Sequence, residues 1–159
     1  MTSDTQPRAE ECTCLAVRQA ARHVTQFYDQ CLAPSGLRTT QFSILAKLKR
    51  LGPMTINALA ADLVMDRTTL GRNILPLQRQ GLIDVVKGRA DRRSKELHVT
   101  DAGAERLRAA VKGWVQAQTQ FEEVFGGKRT SELRALLRAV SASDLGATAR
   151  RDGEPEASF

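Results

Sequence analysis

Apolar positions along the chain follow helical spacing, interrupted once by a short β pattern. From about Glu10 to Leu32, Val17, Ala20, Ala21, Val24, Phe27, Tyr28, Cys31 and Leu32 recur at steps of three and four, which places them on one face of an α-helix. Ala33-Pro34-Ser35-Gly36 ends that helix, because proline brings no amide hydrogen to continue it. Thr39 is placed to cap a second helix with Phe42, Leu45, Leu48 and Leu51 inward, closed by Gly52-Pro53. Thr55 opens a short third helix with Ile56, Leu59, Ala60 and Leu63 inward, and Asp66 caps a fourth with Leu70, Ile74 and Leu77 inward, ending near Gly81. Pro76 lies inside this fourth helix and predicts a kink or a tightened last turn.

The period then changes. Leu82 to Lys87 and Lys95 to Val99 are short runs rich in β-branched residues, separated by a glycine-bearing loop, and predict a hairpin. Thr100-Asp101 begins a long helix on which Leu107, Val111, Trp114, Gln118, Phe121 and Phe125 alternate steps of four and three, a heptad seam. Gly126-Gly127 ends it, and Thr130 opens a last helix with Leu133, Leu136, Leu137 and Val140. Residues 1–9 and 144–159 hold few anchoring groups and are read as flexible tails. The fold class is mainly α with a small β-wing.

Composition narrows the class. The apolar share of 42% beside a charged share of 26% is that of a globular domain, and aromatics at 4% make the core aliphatic. No stretch approaches the ~20 apolar residues of a membrane span. The opening "MTSDTQP" lacks the basic start and apolar run of a secretory signal. Cys12, Cys14 and Cys31 cannot all pair within one chain. These points together predict a cytoplasmic protein in a reducing compartment, with no membrane contact. The two histidines, His23 and His98, come with no glycine-rich phosphate loop, no His-Glu metal spacing and no nucleophile beside a base. No enzyme activity, cofactor or metal is therefore expected.

Charge is unevenly distributed. The formal net charge is +6, and residues 66–95 alone hold eight Lys/Arg against three Asp/Glu. That segment combines the fourth helix with the hairpin. Two helices joined by a tight turn, the second beginning Asp66-Arg67-Thr68-Thr69-Leu70-Gly71-Arg72-Asn73, read as a helix-turn-helix. With Leu70, Ile74 and Leu77 inward, Arg67, Thr68, Thr69, Arg72, Asn73 and Arg79 are read on the opposite face, where such groups reach base edges or phosphates in a major groove. Arg89, Arg92, Arg93 and Lys95 lie at or beside the hairpin tip, and a narrow minor groove draws arginine in. Asp91 breaks the cation run, and a bidentate pair with Arg72 would hold the loop in register with the helix.

Residues 54–103, and within them "DRTTLGRNI", "QGLI" and "DRRSKELHVTDAG", resemble the winged helix-turn-helix core of the MarR family of bacterial transcription regulators. With the flanking helices the similarity spans roughly residues 10–142. It implies an N-terminal dimerisation helix over 10–36, a winged helix-turn-helix over 37–99 and C-terminal dimerisation helices over 100–142. It also implies a homodimer on double-stranded DNA at a pseudo-palindromic operator, with repression relieved by a small-molecule effector, phenolic or other, or by cysteine oxidation. Asp66 and Arg72 then stand at the cap and exposed face of the recognition helix, and Asp91 and Arg93 at the wing. Trp114, Phe121 and Phe125 on one seam independently favour a dimer, because a small winged domain cannot cover them all.

Two routes for a signal follow. An effector pocket implied by the resemblance would draw on His23, Phe27, Tyr28, Phe42 and Trp114. Alternatively, Cys12 and Cys14 would serve redox sensing or a soft metal. Cys14 and Cys31 stand 17 residues apart on one helix, about 25 Å, so they pair only across a dimer, if at all. A winged-helix module whose basic face meets an acidic protein is a further alternative.

Overall fold

Six α-helices and the two strands of the hairpin follow the predicted order, with one further strand, in a computed structural model that describes residues 8–145. Of the tails expected at 1–9 and 144–159, residues 1–7 and 146–159 lie outside the described residues. The chain divides into two compact units, one running to Thr119 and one from Gln120.

In the first unit, a 3-10 turn at Ala9–Glu11 precedes α1, Thr13–Leu32. Leu32 is the one buried residue of α1, and Val17 is 42% exposed. The predicted stripe on this helix exists, but one chain does not cover it. A second 3-10 turn, Ala33–Ser35, and Gly36 at φ +73° redirect the chain into α2, Thr39–Leu51. Thr39 is the first residue of α2 rather than its cap. Its amide and hydroxyl both donate to Asp29 Oδ1 on α1, each at 2.7 Å, while the Arg38 amide donates to Gln41 Oε1 at 3.0 Å. The open amides at the start of α2 are thus satisfied partly by the preceding helix.

Met54–Thr55 forms β1, a strand that the sequence pattern did not reveal. It pairs antiparallel with β3, Lys95–Val99, which pairs in turn with β2, Ile83–Lys87, giving the order β1-β3-β2. The expected hairpin is therefore part of a three-stranded sheet. Thr55 caps α3, Ile56–Asp62, by accepting the Ala58 amide at 3.1 Å, and Lys47 binds Asp62 at 2.6 Å to join α2 to α3.

Helix α4, Arg67–Arg79, runs through Pro76 without interruption. It closes as a Schellman motif, with Gly81 at φ +68°, Gly81 N–H on Gln78 C=O at 3.0 Å and Leu82 N–H on Leu77 C=O at 2.9 Å. The tightening falls in the last turn. Leu70, Ile74 and Leu77 are buried with Ile44, Leu45 and Leu48 of α2 and with Ile83 and Leu97 of the sheet in one aliphatic core.

Thr100 joins this core to α5, Asp101–Phe125. Its hydroxyl donates to Gly81 C=O at 2.6 Å and accepts the Gly103 amide at 3.0 Å. A Cβ on Gly103 would stand 2.1 Å from the Leu82 carbonyl oxygen, and one on Gly113 2.3 Å from that of Cys31. Backbone meets backbone at both places. The buried positions of α5 are the small ones, Gly103, Ala110 and Ala117, while Trp114 on the heptad seam remains 36% exposed.

In the second unit, α6 spans Gly127–Ala142 and starts three residues before the expected Thr130, whose hydroxyl bonds back to Gly126 C=O at 2.9 Å. Phe121 and Phe125 stack at a tilt with centroids 5.5 Å apart, and the Arg129 guanidinium lies 4.3 Å from the Phe125 centroid. Leu136, Leu137 and Val140 are exposed.

Between α3 and α4, Val64 has φ +51° and is 74% exposed. A β-branched residue in this left-handed region is strained, and no buried contact compensates. Val64→Gly is expected to stabilise the protein by about 1 kcal/mol in urea unfolding, the strain relieved exceeding the entropy glycine adds to the unfolded chain.

Candidate nucleic-acid interface

Asp66 fixes where the recognition helix begins. Its Oδ1 accepts the Thr69 amide at 2.8 Å and its Oδ2 the Thr69 hydroxyl at 2.5 Å. The Thr69 hydroxyl first, and the Thr69 amide next, hold the Asp66 carboxyl below the ordinary carboxylate range. Because Asp66 and Thr69 bond each other, and the Asn73 amide donates to Thr69 C=O at 2.9 Å, two of the predicted contact residues serve the helix itself. From the burial of Leu70, Ile74 and Leu77, the opposite stripe at steps of four, three and four is Thr68, Arg72, Leu75 and Arg79, all exposed. Leu75 is the member of this stripe that the sequence reading missed. Arg67 lies exposed at the first turn.

The tip of the wing is closed by hydrogen bonds within the loop itself. Gly88 N–H donates to Ser94 C=O at 2.9 Å, Ser94 N–H and Oγ donate to Asp91 C=O at 3.0 and 2.7 Å, and Arg93 N–H donates to Asp91 Oδ1 at 2.9 Å. A Cβ on Gly88 would come within 2.2 Å of Ser94 Oγ and 2.7 Å of the Asp91 carbonyl oxygen, so the closure as it stands leaves no room for a side chain there. Asp91 therefore caps the tip. The pairing expected between the wing and the recognition helix through Asp66 and Asp91 is not present: each carboxylate bonds its own element, and neither forms an ion pair among the described residues. A short polar side chain satisfies a nearby amide at lower entropic cost than a distant arginine.

The closed tip presents Arg89, Arg92, Arg93 and Lys95 to solvent. None of the eight cations between 66 and 95 forms an ion pair among the described residues. Lys87 and Lys95 stand directly opposite each other across β2 and β3, a like-charge arrangement that weakens a hairpin. Helix and wing together therefore make an uncompensated positive surface.

The residues expected to line an effector pocket are brought together only in part. Phe42 stacks on Trp114 with centroids 6.0 Å apart, Phe27 meets Tyr28 edge-on at 5.7 Å, and the Tyr28 hydroxyl donates to Gln118 Oε1 at 2.9 Å. His23 is exposed. None of the five lines the 260 Å³ cleft that lies between the end of α1 and α5, walled by Cys31, Pro34, Lys112 and Gln116. Cys12 is the N-cap of α1, its sulfur accepting the Leu15 amide at 3.4 Å, and both Cys12 and Cys14 are exposed. Among the described residues no three His, Cys, Asp or Glu side chains gather to hold a metal. Nor is any described helix long and apolar enough to cross a membrane.

A helix-turn-helix followed by a β-hairpin with a basic tip defines the class: a winged helix-turn-helix regulator. A profile of the MarR family matches residues 37–95. The structure resembles that of the M. tuberculosis transcriptional regulator MosR in complex with DNA, at 38% identity over 85% of this chain and 100% of that one, with a TM-score of 0.72. It also resembles the transcriptional repressor CouR bound to a 23-mer DNA duplex, at 26% identity over 83% of this chain and 94% of that one, with a TM-score of 0.75. The uncharacterized HTH-type transcriptional regulator YwoH of Bacillus subtilis is 31% identical over 84 residues, 53% of this chain and 61% of that protein's length. The chain belongs to the MarR family.

Two outcomes follow from the electrostatics. Lys95→Thr is expected to raise the stability of the DNA-free protein by about 0.2–1 kcal/mol, with the gain shrinking as salt screens the lysine pair; thermal melts across ionic strength measure this. Asp66 titrates below its unfolded value, so its contribution is complete above the unfolded pKa of about 3.9 and is lost as pH falls through the folded one. The stability gap between wild type and Asp66→Ala should thus be constant near neutrality and narrow in acid.

Proposed function

We propose that the protein binds a pseudo-palindromic DNA operator as a homodimer and represses transcription until a small-molecule effector releases it. The observation that carries this reading is the set of eight unpaired cations on α4 and the wing. An anionic duplex supplies the countercharge that the chain withholds from them. Helix α4 lies in a major groove through Arg67, Thr68 and Arg72, with Thr69 and Asn73 holding its first turns in shape beside the phosphates. Arg89, Arg92, Arg93 and Lys95 flank the adjoining minor groove, Arg93 entering it. The winged helix-turn-helix at 37–99 is the DNA-binding part, and residues 10–36 and 100–142 form the dimer. The exposed apolar side chains of α1, α5 and α6 support the dimer, since a lone chain leaves them wet. Two-fold symmetry then spaces the recognition helices about one DNA turn apart, ~34 Å.

The effector is a small aromatic molecule, held near the Phe42–Trp114 stack and Tyr28. A second reading is favoured by the exposure of Cys12 and Cys14 at the start of α1: oxidation of this pair would disturb a dimerisation helix at its cap. Peroxide treatment distinguishes the two routes, because operator affinity and thiol count both change only under the redox reading.

If ~6 phosphates are neutralised, the logarithm of the binding constant should fall with that of salt concentration at a slope near −5. Arg93→Ala should weaken binding and reduce the slope by about 1, whereas Arg72→Ala should cost about 1–3 kcal/mol and relax preference at one base pair. Sedimentation should give twice the mass of one chain. Failure to bind any duplex at low salt, with retention of an acidic protein partner, would transfer the basic face to protein recognition.

A further inference from the structure

Leu75 is out of place on its helix. It lies in the stripe Thr68, Arg72, Leu75 and Arg79, opposite the buried Leu70, Ile74 and Leu77, and is 45% exposed at the stripe position between two arginines. An aliphatic side chain there neither completes the core nor bonds a phosphate. Four residues before it, on the same flank, stands Gly71, and beyond its chain neighbours and the local helix backbone nothing lies within 4 Å of where a Cβ at Gly71 would be. Packing therefore does not require glycine at this point, and alanine would favour the helix. On the outward face of α4, leucine thus stands beside a position that carries no side chain.

We infer that Leu75 reads thymine, its side chain meeting the C5-methyl group in the major groove while Gly71 lets the base edge approach. This rests on the reading that α4 enters that groove. The thymine methyl is the apolar group that base pairs display there, so it is the partner a leucine between two arginines can distinguish. Leu75 is thus a specificity-determining residue, with Arg72 beside it bonding a neighbouring base edge.

The test begins with duplexes selected from a random DNA pool by the full chain. Each thymine of the recovered half-site is then replaced in turn by deoxyuridine, which keeps every hydrogen-bonding group and removes the methyl alone. Wild type should lose about fourfold in affinity at one thymine per half-site, the effect of burying one methyl. Leu75→Ala should bind thymine and uracil duplexes equally, with a cooperative thermal melt showing that it remains folded. Leu75→Gln should behave likewise, while Thr68→Ser, which removes the other methyl of the stripe, should keep the discrimination. Gly71→Ala should weaken operator binding while stabilising the fold. Binding that ignores every thymine methyl, or discrimination that persists in both Leu75 variants, overturns the inference. Recovery of no duplex overturns instead the DNA-binding reading beneath it.

Discussion

Burial of Leu70, Ile74 and Leu77 is the constraint on which the rest of the surface depends. Each such side chain taken out of water contributes roughly 1.5–3 kcal/mol, and all three lie on one face of α4. Turning the helix by one residue, about 100°, would carry that face toward solvent. The rotation of α4 is therefore fixed from inside, and the outward stripe is its geometric remainder. Asp66 at one end and the Gly81 closure at the other set where the helix starts and stops, so position along the axis is defined as well.

On that fixed frame, charge is arranged against the usual economy of a folded surface. Elsewhere cations find carboxylates: Lys47 with Asp62, Arg108 with Glu105, Arg134 with Glu122. Between residues 66 and 95, two of the three carboxylates are occupied differently. Asp66 and Asp91 each take backbone amides of their own element, which preorganises the two arms but neutralises no arginine. The facing lysines at positions 87 and 95 add local repulsion. Such a surface sacrifices some stability of the free protein for attraction to an anion, and its strength must depend on salt.

Helices α2 to α4 and the two longer strands were legible because their signals are local: an apolar period, an Asp or Thr cap, a closing glycine. β1 was not, since two residues carry no period, and its pairing partner lies some forty residues on. Thr39 was misread as a cap because the group that satisfies it, Asp29, belongs to another helix. The start of α6 was misplaced because its N-cap is Gly126, which has no side chain to announce it. On α5 the sequence displayed the bulky seam, yet the face buried within the chain is made of Gly103, Ala110 and Ala117, whose small size gives a weak hydrophobic signal. At the site, the basic residues were visible by type. Their lack of ion pairs was not, nor the inward commitment of Thr69 and Asp91, because both depend on contacts that composition does not encode.

The Thr100 hydroxyl bridges the carbonyl that ends the recognition helix and the amide that begins α5, while Gly103 seats α5 directly on the Leu82 backbone. No slack loop separates these parts, and nothing there is compressible. A displacement of the first turn of α5 would therefore disturb the end of α4 and the start of β2 together. The first turn of α5 is thus tied, through one hydroxyl and one glycine, to the segment between α4 and β2.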